Sequence, residues 1–387
     1  MTRSPFFIAL GGLLANAAAN GIGRFVYTPI LPPMVEALHL SKSEAGLIAS
    51  ANFAGYLAGA LLAALRLPGS RRTWLLGALV ANALGLGAMA ATTSFPLFLL
   101  IRLIGGVASA FAFVFAAALV LDRLAAAGRS GLAAVHFAGV GAGIAVSAAL
   151  VAILVQTGEQ AGNDWRTLWL ASAVLALLAG IAVAFLVPSD HAHAAAPHPA
   201  KRQPLPAGFT RLAIAYGLFG FGYIITATFI VAMVRGSKEI ASLEPVIWVM
   251  FGLAAAPSVA LWGRLGGRLG IRRAYALAAV VEAGGVWVSA MWINPATVVA
   301  TSLLVGGTFM GLTALGLIAA REGDGDPRRR IAVMTAAFGL GQILGPAFAG
   351  YAFDLLGSFA LPSMAATLAL VLSALLVLPR NHPPLPR

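Results

Sequence analysis

An all-α membrane protein of twelve transmembrane helices, arranged as two parallel six-helix repeats, is the fold class this sequence predicts. Three observations lead there: how few charges the chain carries, how its apolar runs are spaced, and glycine-centred segments that recur at a nearly constant offset. Of the 387 residues 60% are hydrophobic and 10% are charged, and the mean hydropathy is +0.91. Soluble domains are about a quarter charged, so this chain has too few charges to clothe a soluble surface. Cysteine is absent, which removes disulfides, thiol chemistry and cysteine-ligated metal.

An apolar run of about 20 residues crosses a bilayer as a helix. Such runs fall at 6–32, 43–65, 73–93, 96–121, 131–155, 166–187, 210–233, 245–263, 273–293, 296–319, 331–353 and 359–378. Between the sixth and seventh lies "PSDHAHAAAPHPAKRQPLPAG", the long polar, proline-rich stretch of the chain. The expected organisation is an N-terminal six-helix bundle over 1–187, a cytoplasmic linker over 188–208 and a C-terminal six-helix bundle over 209–387. Arg3, an apolar stretch and Ala15-Asn16-Ala17 resemble a signal peptide with its cleavage site. Residues 21–23 take part in the internal repeat, so this stretch reads as the first span.

The net charge of +12 invites a nucleic-acid reading, and the positions of the 25 Lys and Arg decide against it. With the N-terminus inside, Arg3, Arg66, Arg71, Arg72, Arg123, Arg129, Lys201, Arg202, Arg211, Arg264, Arg268, Arg272, Arg273, Arg321, Arg328, Arg329, Arg330, Arg380 and Arg387 fall on the cytoplasmic side. Lys42, Arg166, Arg235 and Lys238 fall outside, and Arg24 and Arg102 lie within spans. This is the positive-inside pattern, with both termini cytoplasmic.

Gly21-Ile22-Gly23 in span 1 answers Gly220-Phe221-Gly222 in span 7, and Gly69-Ser70-Arg71-Arg72 after span 2 answers Gly270-Ile271-Arg272-Arg273 after span 8. Gly105-Gly106 in span 4 answers Gly306-Gly307 in span 10, and Gly139-Val140-Gly141 in span 5 answers Gly339-Leu340-Gly341 in span 11. Six spans separate the copies, so both halves cross the membrane in the same sense. A parallel six-plus-six repeat is a transporter plan with a midplane site between the halves.

At these residues the chain resembles the major facilitator superfamily. "GRLGGRLGIRR" (263–273) is similar to that superfamily's loop signature between spans 8 and 9, and Arg102 with Gly105-Gly106 is similar to its span-4 signature. "GIGRFVYTPILPPM" (21–34), "YGLFGFGYIITATFI" (216–230) and "TAAFGLGQILGPAFAG" (335–350) resemble the YbfB/YjiJ-like branch. The resemblance runs over essentially the whole chain and implies a twelve-helix secondary transporter of the inner membrane. Two departures stand out. The loop acid of the superfamily is replaced by Gly267, and by Arg66 in the first half. Span 5 carries "GVGAGIA" (139–145) without the Gly-Pro of exporters, whereas span 11 has Gly345-Pro346.

Polar residues within spans mark the candidate site, because lipid cannot satisfy them. Asn16, Asn20, Arg24 and Tyr27 share one face of a regular helix at i, i+4, i+8 and i+11. They either wall a hydrated cavity, with Arg24 meeting an anionic group, or Arg24 snorkels or bonds backbone freed by Pro29, Pro32 and Pro33. Gly21 and Gly23 are expected to allow close helix approach and the prolines to bend the outer end. Asn52, Tyr56, Tyr216, Tyr223 and Gln342 complete the substrate-binding candidates, Tyr223 being the repeat-equivalent of Arg24. Glu282, His136 and Arg102 are the proton-coupling candidates. Each has a structural alternative: a neutral hydrogen-bonded acid, an interfacial histidine, and an arginine organising backbone carbonyls. Arg71, Arg72, Arg268, Arg272 and Arg273 are the gating-loop candidates, and Asp122 and Asp354 read as interfacial.

No metal site is expected from His191, His193 and His198 in the linker, and no nucleotide-binding loop points to ATP. The expectation is a secondary active transporter, not an enzyme, moving a small organic solute by alternating access, coupled to protons and exporting. It is expected to act without cofactor or nucleic acid, as a monomer in the lipid bilayer of the inner (cytoplasmic) membrane. The rival readings are proton-coupled uptake of an organic anion drawn in by Arg24 and Arg102, and a non-transporting receptor or scaffold.

Overall fold

The computed structural model describes residues 4–65, 67–157, 164–188, 205, 208–322 and 326–378. Outside them lie Arg3, Arg66, Lys201, Arg202, Arg380 and Arg387, the linker histidines His191, His193 and His198, and most of the 188–208 linker. The described chain is helical throughout, with eleven helices long and apolar enough to cross a membrane, or twelve with one bent pair counted as a span. Each coincides with an apolar run of the sequence.

The first span is interrupted: α1 (Pro5–Asn16) opens into a wide π-type turn over Ala17–Ile22, and α2 (Tyr27–Leu38) resumes it. There follow α3 (Lys42–Ala63), α4 (Arg71–Ala90), α5 (Phe95–Ala126), α6 (Ala133–Thr157) and α7 (Trp165–Leu186). The second six spans are α8 (Phe209–Arg235), the pair α9 (Glu244–Ala255) and α10 (Ser258–Leu269), α11 (Ile271–Met291), α12 (Pro295–Arg321), α13 (Pro327–Leu356) and α14 (Ala360–Val377). The α9–α10 bend is 41° and falls at Pro257, which has no N–H to continue the ladder. Gly270, at φ 87°, makes the sharp reversal between α10 and α11.

Local chemistry sets the helix starts. Ser41 and Glu44 form a reciprocal capping box on α3, Ser70 caps α4, Asp164 caps α7, and Asn294 with Thr297 caps α12. Lipid-length apolar faces stay outside, with Leu84, Phe185 and Leu368 among the exposed side chains. Small residues bring the helix backbones together inside. A Cβ on Gly106 of α5 would lie 2.0 Å from the Asn52 carbonyl oxygen of α3, and one on Gly306 of α12 would lie 2.4 Å from that of Phe251 in α9. The two glycines lie one residue out of register in the sequence copies and do the same packing. The glycines of spans 5 and 11 also correspond, two residues out of register: Gly139 meets Leu13, and Gly341 meets Gly217.

The first six and last six spans meet where α3 packs on α13, α6 on α9 and α2 on α8. The helix ends joined by the turns around residues 39–41, 236–243 and 357–359 are called the far end below, and the opposite ends the near end. Gly46 faces the Pro346 carbonyl and Gly350 that of Lys42, at 2.2 and 2.1 Å from an added Cβ. Among the described residues, the hydrogen bonds between the two sets of spans lie from the far end to the middle. Thr28 Oγ1 donates to Ala227 O (2.8 Å), Ser50 Oγ to Ile343 O (2.7 Å) and Trp248 Nε1 to Phe25 O (3.2 Å). At the far end itself, the Asp354 carboxylate accepts the backbone N–H groups of Lys42 (3.0 Å) and Ser43 (2.8 Å). Arg235 there bridges Glu36 (2.7 Å) and Glu244 (3.1 Å).

Candidate functional site

The site grows out of the interruption in the first span. There Gly23 N–H reaches back to Ala18 O (3.0 Å) and Phe25 N–H to Asn20 O (3.3 Å), five-residue steps that leave carbonyls without their usual partners. Such carbonyls must be satisfied internally in a membrane, and side chains from three neighbours supply the donors. Asn82 Nδ2 (3.1 Å) and Ser109 Oγ (2.8 Å) donate to Ala19 O. Arg102 donates through Nη1 to Gly23 O and through Nη2 to Arg24 O, both at 3.2 Å. Trp248 takes Phe25 O, the carbonyl that Pro29 cannot bond. The expected proline bend is therefore displaced: the irregular stretch precedes the prolines, and Pro32 and Pro33 lie inside α2. Gly21 and Gly23 serve close approach, an added Cβ lying 2.5 Å from Gly143 Cα and 2.3 Å from Asn82 Oδ1.

Arg24 does none of this backbone work. Its side chain is buried, with the residue 7% exposed. Nη1 makes a long hydrogen bond to Asn20 Oδ1 (3.4 Å), whereas Nε and Nη2, and Nδ2 of Asn20, have no partner. The guanidinium lies 3.9 Å from the Tyr56 ring centroid, 5.1 Å from that of Phe53 and 5.3 Å from that of Phe25. Aromatic faces stabilise a cation but leave its N–H groups unsatisfied.

Across from Arg24, Phe25 touches Phe309 edge to face (6.0 Å), and Phe309 lies parallel to Tyr223 (5.5 Å, 10°). Tyr223 in turn lies parallel to Phe338 (5.9 Å, 5°). The Tyr223 hydroxyl accepts a hydrogen bond from Gln342 Nε2, and Gln342 Oε1 has no partner. Arg24, Asn20 and Tyr56 from the first half thus gather around one aromatic seam with Tyr223 and Gln342 from the second.

The remaining candidates sit elsewhere. Tyr27 turns away: its hydroxyl donates to Ala45 O (2.8 Å) and its ring lies 5.0 Å from the Arg102 guanidinium. Asn52 donates to Arg102 O (2.9 Å), tying α3 to α5. Asn16 Nδ2 donates to His136 O (2.9 Å) and contacts its Nε2 (3.2 Å), with His136 fully buried. Tyr216 donates to Thr313 O (3.0 Å) and stacks on Phe338. Glu282 is fully buried between α11 and α12, accepting from Thr308 Oγ1 (2.9 Å) with its other oxygen unpartnered. Arg71 pairs with Asp122 (3.0 Å), and Arg72 caps α7 through Ala184 O (2.6 Å) and Val187 O (3.0 Å). Both contacts stay within the first half. Among the described residues Arg268, Arg272 and Arg273 make no ion pair. The sequence reading missed Asn82, Ser109 and Trp248, whose role depends on an irregularity it did not expect, and the phenylalanines of the seam.

Comparisons with known proteins agree with this architecture. The family model described as "Uncharacterised MFS-type transporter YbfB" matches residues 16–378. A chloramphenicol resistance protein of Streptomyces lividans is 31% identical over 268 residues, covering 66% of this chain and 66% of that protein, just under two thirds. The multidrug efflux protein YfmO of Bacillus subtilis (strain 168) is 25% identical over 353 residues, covering 85% of this chain and 81% of that protein. Among solved structures, the nucleoside transporter NupG superposes at TM-score 0.68 and a point mutant of it at 0.73. Each shares 15% identity over 96% of this chain and 98% of its own, a likeness of fold alone. With a family model covering nearly all of the chain, the protein belongs to the major facilitator superfamily, in the YbfB-like family of MFS-type transporters.

Proposed function

We propose that the chain is a secondary active transporter that exports a small organic solute by alternating access, coupled to protons. The first and last six spans act as two bodies that rock about the seam. The observation that carries this reading is Arg24: a buried cation with unpartnered donors, joined through Phe25 and Phe309 to Tyr223 where the two sets of spans meet. A group this costly to bury makes sense where a solute completes its hydrogen bonds for part of a cycle. The hydrogen bonds at the far end give that cycle one closed gate. With the positive-inside pattern the far end is external, both termini are cytoplasmic, and the conformation is closed to the outside. The relatives named for drug resistance and efflux favour export.

Glu282 is the proposed proton carrier. It is a fully buried acid with one free oxygen and a hydroxyl donor on the other. The cycle is one of binding and release, without covalent chemistry. The test is solute flux in proteoliposomes under pH gradients of either sign. Arg24→Ala abolishes solute-dependent proton flux while protein abundance is unchanged. Wild-type flux in that variant would remove Arg24 from the mechanism, and flux driven only in the inward sense would replace export with uptake.

A further inference from the structure

The chemistry around Arg24 also defines what the site takes. We propose that its ligand is an aromatic organic anion, its carboxylate on Arg24 and Asn20 and its ring against the Tyr223–Phe309 pair. This deepens the transporter reading and rests on it.

Three observations converge. On Arg24 and its partner Asn20 the unpartnered buried atoms are all donors: Arg24 Nε, Arg24 Nη2 and Asn20 Nδ2; the unpartnered oxygens of Asn16 and Asn52 belong to amides bonded to His136 O and Arg102 O. An acceptor with two oxygens satisfies a guanidinium edge and an amide together, and a carboxylate does so with a charge that offsets the arginine. Among the described residues no carboxylate does this work: Arg24 hydrogen-bonds Asn20, and its other contacts are the rings of Tyr56, Phe53 and Phe25. A cationic ligand would meet an unneutralised guanidinium, with Arg102 a short way behind it on the Gly23 and Arg24 carbonyls.

The wall then fixes the body of the ligand. Tyr223, Phe309 and Phe338 stack on one another, within 10° in the two pairs, a column of rings that a flat aromatic partner can join. At its polar margin Gln342 Oε1 is free, an acceptor for a ring hydroxyl or N–H. The recognised pattern is a carboxylate, a planar ring and a donor on the ring.

The test is equilibrium binding to the purified full-length protein in detergent, with 2-naphthoate as probe. The comparison ligands are 2-naphthamide, the 2-naphthyl-trimethylammonium cation, octanoate and inorganic phosphate. The acid binds about thirtyfold or more tightly than the isosteric amide, the range expected when a buried charge loses its partner. The cation and phosphate do not compete, and octanoate competes weakly. Arg24→Gln collapses the acid-to-amide ratio towards one, and Arg24→Lys retains part of it. Equal affinity for acid and amide in the wild type, no binding of the acid, or octanoate matching naphthoate would each overturn the proposal without any variant. Failure of the transport reading is separate. Naphthoate binding with no solute-driven flux would leave the anion site and remove the transporter, whereas flux of neutral or cationic solutes without naphthoate binding would do the reverse.

Discussion

Removing the Asp354 carboxylate should loosen the far end by an amount the structure sets. At the start of α3 every early N–H group has a partner: Ser41 N–H bonds Glu44, Glu44 N–H bonds Ser41, and the N–H groups of Lys42 and Ser43 both bond Asp354, over 300 residues away. Asp354→Ala orphans two donors, but only while the far end is closed, because an opened helix end is met by water. An N-cap contributes about 0.5–2 kcal/mol and a charge at a helix N-terminus about 0.3–1 kcal/mol. Asp354 is an exposed residue, so screening keeps the total near 1–2 kcal/mol, roughly a five- to thirtyfold shift towards the open form. The chain has no cysteine, so Ser50→Cys supplies a single thiol in the α3–α13 seam without background. Its rate of reaction with a polar maleimide reports the open population. Asp354→Ala should speed labelling five- to thirtyfold, less in high salt. Asp122→Ala, which breaks only the near-end pair with Arg71, should leave it unchanged. Labelling within twofold of the parent in Asp354→Ala, or an equal rise in Asp122→Ala, refutes the gate.

Two buried arginines should respond in opposite ways to neutralisation. Arg102→Gln withdraws donors from two buried carbonyls and should destabilise by about 2–4 kcal/mol. Arg24→Gln removes an uncompensated buried cation and should leave Tm unchanged or raised; thermal unfolding in detergent decides, and a lower Tm for Arg24→Gln than for Arg102→Gln would reverse the assignment. Glu282→Gln keeps the Thr308 hydrogen bond but cannot release a proton, so solute flux should lose its dependence on an imposed pH gradient; an unaltered pH response removes Glu282 as carrier. Gly46→Ala sets a Cβ 2.2 Å from Pro346 O, which should bar the closed far end and raise Ser50→Cys labelling above that of Asp354→Ala. A rate below that of Asp354→Ala would place the close contact outside the gate.

The helices were legible because apolar length is a strong signal: the runs beginning at 43, 166 and 296 start within a residue of α3, α7 and α12. The site was legible only in part. Grouping Asn16, Asn20, Arg24 and Tyr27 assumes an unbroken helical register, and the wide turn over Ala17–Ile22 cancels it between Asn20 and Tyr27. Tyr27 consequently points into the first half, not towards Tyr223. Arg24 and Arg102 look alike as lone cations in apolar runs, yet one bonds main chain and the other does not. That distinction depends on which carbonyls lose their partners, and only coordinates show it. Phe25, Phe309 and Phe338 carry no sequence mark separating them from the other phenylalanines of the spans. Asp354 read as a boundary residue because its partners are backbone N–H groups of a distant helix.

Thr28, Ser50 and Trp248 close the seam onto the main-chain oxygens of Ala227, Ile343 and Phe25. A main-chain acceptor is the same whichever side chain it carries. Positions 227, 343 and 25 are thus free, as far as these bonds go, to vary with ligand shape while the lock stays intact. Pairwise co-evolution across the interface should accordingly be faint, with the donor positions held constant and the acceptor positions drifting.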